Sequence, residues 1–213
     1  MTDHATDPGT SPARRRRIAS ASGPIVVAMI LLIVASFVIA PNSLGRGSLA
    51  SMLPFASVAA LVAIGQTLVV QQRGLDFSVA GMVSLSTVVI ATWGGPDQLG
   101  FVGAAVLVAL VAVGVGLANG LVVTRLGITP LIATLGMNSL LIGAIQYISG
   151  GVQVPAAPDA LSRFAYGDLL GVPLPAVLAV IVCAVAAVFT QRSVAGRRFE
   201  VAGASPRAAT AAG

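Results

Sequence analysis

The sequence predicts an all-α protein, a polytopic transmembrane helix bundle of about six membrane helices with a cytoplasmic N-terminus. Three observations lead there. The 213 residues are 56% hydrophobic and only 9% charged, where soluble domains average about 25% charged residues, and mean hydropathy is +0.96. Long apolar runs follow one another, parted by short polar knots. The charges gather at the ends of those runs: all 12 basic side chains are Arg, and none is Lys. The alternating ten-residue segments of a membrane barrel are not seen.

The elements follow in order. Residues 1–22 are polar and carry Arg14-Arg15-Arg16-Arg17, a composition expected to stay disordered as a basic cytoplasmic tail. An Arg run before an apolar stretch also resembles a signal-peptide start. No small-residue cleavage site followed by a soluble domain appears, so residues 23–40 are read as a first membrane helix. Pro41 to Ser51 is a polar connection, and Leu53 to Val70 is the second run, with Pro54 in its first turn.

The knot Gln71-Gln72-Arg73-Gly74-Leu75-Asp76-Phe77-Ser78 comes next. Arg73 and Asp76 are the only charges between Arg46 and Asp97. A charge at the bilayer centre costs on the order of 3 kcal/mol. The knot is therefore either a turn at a membrane face or a polar site inside the bundle. Val79 to Trp93 is a third run, short enough to borrow Leu75 and Phe77 or to be partly re-entrant. Leu99 to Val123 is a fourth. In it Ala112, Gly116 and Gly120 recur every four residues, a stripe suited to close packing within the chain rather than to a dimer face. Ile128 to Ile148 is a fifth run, with Pro130 in its first turn. Ser149 to Val172 reads as a long loop, Pro173 to Thr190 as a sixth helix, and residues 191–213 as a hydrophilic segment.

Six crossings sort the Arg residues by side. With the N-terminal tail inside, ten lie inside and only Arg46 and Arg163 lie outside. Asp97, Asp159 and Asp168 also fall outside, and Trp93, Phe101 and Tyr147 fall near the outer interface. This is the positive-inside pattern with an aromatic belt. It places the Arg73–Asp76 knot at the cytoplasmic face. The basic side chains form no continuous face, so nucleic acid is not a partner. Cys183 is alone and His4 is the only histidine, so neither a disulfide nor a metal site is expected, and no cofactor is implied. No catalytic constellation and no P-loop is present, so the chain does not itself hold ATP in the Walker manner.

Three segments carry a family resemblance. Gly65-Gln66-Thr67-Leu68-Val69-Val70 followed by Gly74-Leu75-Asp76-Phe77-Ser78-Val79-Ala80-Gly81 resembles the "GxTLV…GIDLSVG" segment of ribose-type ABC transporter permeases. Asn119-Gly120-Leu121-Val122-Val123 with Ile128-Thr129-Pro130-Leu131-Ile132-Ala133-Thr134-Leu135-Gly136-Met137 resembles their "NGLLV…I.PFIATLGM" segment. Gly196-Arg197-Arg198-Phe199-Glu200-Val201-Ala202-Gly203-Ala204-Ser205-Pro206-Arg207-Ala208-Ala209 with Gly213 resembles their cytoplasmic "GRxxYAxGGNPxAAxxSG" loop. Leu75 and Phe77 stand where the pattern has Ile and Leu, Ser205 where it has Asn, and Arg207 where Glu is frequent.

The resemblance implies the membrane subunit of a bacterial ABC importer for a sugar or similar small polar solute. It would be a multi-pass protein of the plasma (inner) membrane, lying in the lipid bilayer. The implied partners are an ATP-binding cassette subunit, an extracytoplasmic solute-binding protein and a second permease copy. Catalysis is not implied for this chain, since ATP hydrolysis belongs to the partner. Members of that family continue with more helices beyond the point matching Gly213, which implies a truncated permease, a fragment or one half of a split one. Other readings are a branched-chain amino-acid or nucleoside permease and a nonfunctional truncated remnant. A secondary transporter or small channel, and a membrane scaffold, are alternatives of a different class.

The domain plan is a tail over 1–22, an incomplete permease domain over 23–190 and an ATPase-docking loop over 191–213. Asp76 is read as a cap for the helix beginning near Ser78 or as a coupling turn. Asn119 either packs between helices or lines the substrate pathway. Thr134 and Asn138 share one helix face, as residues four apart do. Their hydroxyl and amide suit either a sugar path or interhelical bonding. In the docking loop the resemblance points to Gly196, Arg197, Gly203, Ser205, Pro206, Ala208, Ala209 and Gly213. Ser205 and Pro206 fit the N-cap and first position of a short helix ending at Ala212. The competing reading of that segment is a frayed tail.

Overall fold

Apolar runs in a membrane must close every backbone hydrogen bond within themselves, and the α-helix does so. The computed structural model, which describes residues 12–152 and 157–204, is helical throughout its apolar runs. The order is α1 (Pro12–Ile39), a 3₁₀ turn (Pro41–Leu44), α2 (Arg46–Gln71), α3 (Ser78–Trp93), α4 (Gly100–Arg125), α5 (Pro130–Ser149), α6 (Asp159–Tyr166), β1 (Asp168–Leu169), β2 (Val172–Pro173), α7 (Leu174–Arg192) and α8 (Val194–Ala204). The chain divides between Met52 and Leu53 into two compact units.

Among the described residues, α2, α4, α5 and α7 are long and apolar enough to cross a membrane, and the apolar parts of α1 (Gly23–Ile39) and α3 are shorter. The protein is an all-α, multi-pass membrane protein. Several boundaries differ from the sequence expectation. α1 begins at Pro12 rather than Gly23. α2 begins at Arg46, so Pro54 lies inside the helix and not in its first turn. Proline inside a membrane helix is tolerated when side chains and neighbouring helices satisfy the freed groups. The Ser149–Val172 stretch is not a plain loop. It contains α6 and half of a two-stranded antiparallel hairpin, in which Asp168 pairs with Pro173 and Leu169 with Val172. The hydrophilic end contains α8, a helix the sequence reading did not place.

α3 is the centre of the second unit. It has 16 residues, a rise of about 24 Å against a hydrocarbon core of about 30 Å. Burial in protein explains how so short a helix persists. Leu85 and Val89 of α3 form the core with Leu141 of α5. Leu107, Val108, Val111 and Val115 of α4, and Met137, Ala144, Ile145 and Ile148 of α5, close around them. Gly81 allows the tightest approach of α3 to α5. A Cβ there would stand 2.6 Å from Asn138 Oδ1 and 3.0 Å from Leu141 Cβ.

The small-residue stripe of α4 does not pack within the unit. Ala112, Gly116 and Gly120 are exposed, and a Cβ at either glycine would meet nothing within 4 Å. The face of α4 that packs on α3 is instead the branched one, Leu107, Val108, Val111 and Val115. The expectation of intramolecular packing for that stripe is corrected accordingly.

Candidate functional site: the turn before α3 and the helix that reaches it

α2 ends in a Schellman motif, the six-residue closure that satisfies a helix's last carbonyls. Gly74 N donates to Val69 O at 3.0 Å and Arg73 N to Val70 O at 2.9 Å. The left-handed position of this motif is normally glycine, because an L side chain there costs roughly 1 kcal/mol. Here it is Arg73, with φ +60°, and Gly74 follows it. The sequence breaks a local rule, and the side chain supplies the reason. The Arg73 guanidinium donates through Nε to Gly203 O at 3.0 Å and through Nη2 to Ala204 O. Gln72 Nε2 donates to Phe199 O at 2.7 Å. The turn thus holds carbonyls along the second half of α8, two of them on Gly203 and Ala204, its last described residues. Gly203 is buried against the turn, and a Cβ on it would stand 2.0 Å from Gln71 O.

At the other end of α8, Ser193 is the N-cap. Gly196 N donates to Ser193 Oγ at 2.8 Å, the pairing of N-cap hydroxyl with third helical amide. Ser193 Oγ donates in turn to Phe189 O at 2.6 Å. Gly196 is buried close to Phe189 O and Thr190, where a Cβ would lie 2.3 Å from that carbonyl. Arg197 Nη1 donates to Arg192 O at 3.0 Å. Of the docking-loop residues singled out in the sequence, Gly196, Arg197 and Gly203 therefore lie on α8. Ser205, Pro206, Ala208, Ala209 and Gly213, and the short helix expected from Pro206, lie outside the described residues.

Beyond Gly74 the chain runs without regular structure to Ser78, and four helices supply its partners. Gln66 of α2 donates to Asp76 O at 2.5 Å. Thr134 of α5 donates to Pro130 O at 2.8 Å within its own helix, with Leu75 O also near at 3.2 Å. Asp76 Oδ1 accepts from Ser78 N at 2.8 Å and from Ser78 Oγ at 2.5 Å. Asn119 of α4 donates through Nδ2 to Ser78 Oγ at 3.0 Å. Asn138 Oδ1 of α5 accepts from Gly81 N at 2.9 Å. Ser78 and Thr134 are buried, at 2% and 4% exposure. Unpaired, such groups would cost 1–3 kcal/mol each, roughly. The sequence candidates Asp76, Ser78, Asn119, Thr134 and Asn138 are all brought together here, around the first turn of α3.

Gln66, Gln72, Arg73 and Ser193 were not singled out for any such contact. Two signals were legible in the sequence. Arg73-Gly74 puts the larger residue where the helix ends, and Ser193 precedes a helical stretch with Gly196 three residues on. Beside the Asp76 carboxylate lies an open cavity of about 330 Å³. Gln66 and Asp76 line it together with Leu61, Val62, Val69 and Val79. Gln66 and Asp76 are its polar side chains, and the Gln66 amide already donates to Asp76 O. Among the described residues no cluster of His, Cys, Asp or Glu fits a metal ion.

Comparison with known proteins places this geometry in context. Residues 48–213 match a family model described as branched-chain amino acid transport system / permease component. The chain is 33% identical to the galactofuranose transporter permease protein YtfT of Escherichia coli (strain K12), across 96% of this chain and 62% of that one. It is 32% identical to the ribose import permease protein RbsC of the same organism, across 70% of this chain and 48% of that one. It is 28% identical to the fructose import permease protein FruF of Bifidobacterium longum (strain NCC 2705), across 88% and 56%. The chain thus spans about half to three fifths of the length of these curated relatives. No solved structure matches it.

Proposed function

The chain belongs to the family of branched-chain amino acid transport system / permease components, and from that membership we propose that it forms the membrane pathway of a bacterial ABC importer for a sugar or similar small polar solute. The observation that carries the substrate class is the run of sugar-named relatives: galactofuranose across nearly the whole chain, and ribose and fructose over most of it. The geometry is compatible with that class. The cavity beside Asp76 and the groups around α3 offer amides, hydroxyls and one carboxylate, which hydrogen-bond to sugar hydroxyls.

In this reading a separate ATP-binding cassette subunit hydrolyses ATP and docks on residues 191–213. A solute-binding protein delivers substrate from outside the plasma (inner) membrane, and a second permease copy completes the pathway. Asn119, Thr134 and Asn138 border the path. Alternating access then requires the docked segment to shift the membrane helices between two arrangements, the general means by which such transporters work.

The test is uptake of radiolabelled solutes by cells carrying and lacking the complete importer. Loss of pentose or hexose uptake on deletion, with branched-chain amino-acid uptake unchanged, is the expected result. The reverse pattern overturns the sugar assignment. Within a transporting system, Thr134→Ala combined with Asn138→Ala is expected to lower uptake by about tenfold or more if the pair borders the path. Unchanged uptake removes them from it.

A further inference from the structure

Resting on the reading of residues 191–213, which include α8, as the docking segment, we propose that Arg73, assisted by Gln72, is the positioning residue that ties α8 to the start of α3. Three independent features converge on this contact. The guanidinium holds Gly203 O and Ala204 O, the last two described carbonyls of α8, and Gln72 holds Phe199 O, further back along the helix. Gly203 has no side chain where the Gln71 carbonyl presses against it. Arg73 itself occupies a left-handed conformation that glycine would adopt without strain, so a cation is kept there against the local preference.

The connection continues past the turn. Three residues after Arg73, the Asp76 carboxylate holds both the amide and the hydroxyl of Ser78, and that hydroxyl accepts from Asn119. Displacement of α8 is thereby passed to the first turn of α3 and on to α4 through hydrogen bonds and one short stretch of backbone. Coupling rather than mere proximity requires that this turn exchange between two arrangements, latched to α8 and released, and the variants below test for that exchange.

Hydrogen exchange and transport read out the two halves of this idea. Arg73→Gly removes the guanidinium while suiting the left-handed backbone, so it separates the latch from the turn. In the full chain held in nanodiscs, Arg73→Gly is expected to speed amide exchange in residues 198–204 by about tenfold, the worth of a charged hydrogen bond. Arg73→Lys, with a point charge and no fork, is expected to fall between wild type and Arg73→Gly. Exposed Gln72→Ala serves as a second variant, with a smaller acceleration at the same amides. In the complete importer, solute moved per ATP hydrolysed is expected to fall by about fivefold in Arg73→Gly while hydrolysis continues.

Unchanged exchange in α8 overturns the latch. Faster exchange with an unchanged ratio of transport to hydrolysis reduces Arg73 to a structural cap and overturns its positioning role. The exchange comparison uses no solute, so a wrong solute class is detected separately by wild-type uptake.

Discussion

Asp76 shows how one carboxylate serves a helix start in a membrane protein. Its Oδ1 takes the Ser78 amide and hydroxyl together, although the N-cap position itself is Phe77, which has no side chain able to cap. Asp76→Asn keeps an acceptor at the same place and removes the charge. Thermal unfolding in detergent is expected to change by a few tenths of a kcal/mol for Asn and to fall by about 1 kcal/mol for Ala. If Asn preserves stability but abolishes uptake, the charge acts in transport beyond the cap. That Asp76 precedes a helix start was readable from its place before Ser78. That Asn119 would bond Ser78 was not, because Ser78 and Asn119 lie 41 positions apart and only the packing of α3 on α4 joins them. The same holds for Asn138 and Gly81. The residue types announced polar work within the membrane, and the partners were set by tertiary structure.

At the scale of elements, glycines decide which helices touch. Gly81→Ala would push a methyl against Asn138 Oδ1 and the Leu141 Cβ. The loss is expected to be about 2 kcal/mol, with the α3–α5 contact loosened, as seen by a lowered melting temperature in detergent. Gly203→Ala would place its methyl on the Gln71 carbonyl and lift α8 from the turn. Disulfide trapping between cysteines placed at Gln72 and Glu200 is then expected to slow relative to the Gly203 background. The Gly-rich α4 stripe illustrates the opposite case. Small residues every four positions read as an intramolecular seam, yet the seam of α4 is built from Val and Leu. Spacing alone carries no information about which neighbour a stripe meets. α8 escaped the sequence reading because its three charged residues, Arg197, Arg198 and Glu200, and the low helix propensity of Gly196 and Gly203 pointed to a loop. Its ends are secured by Ser193, Gln72 and Arg73 rather than by its own composition.

The whole molecule was largely legible because composition is a strong constraint in a membrane. Six apolar runs in the sequence correspond in order to α1, α2, α3, α4, α5 and α7. What composition could not give was which run sits inside the others, since every run is apolar on all sides. α3 is distinguished only by its contacts. Orientation rests on the Arg distribution, ten against two. It is tested by replacing Cys183, the sole cysteine, with Ala, and placing single cysteines at Gln72 and Gln98. A membrane-impermeant maleimide added to intact cells is expected to label the Gln98 site and to spare the Gln72 site. Labelling of Gln72 from outside would invert every crossing.

Assembly of this protein is ordered in time by the position of α3. The helix is synthesised before the side chain that takes its Gly81 amide, which comes 57 residues later, and the turn leading into it before the hydroxyl near the Leu75 carbonyl, 59 residues later. At cellular synthesis rates that interval is about 3–11 s. During it a helix too short to span the hydrocarbon has its α2 and then its α4 partners but not those of α5. α3 is accordingly expected to settle into place only once α5 arrives. A nascent chain arrested before Pro130 is expected to be an early substrate for membrane quality-control proteases.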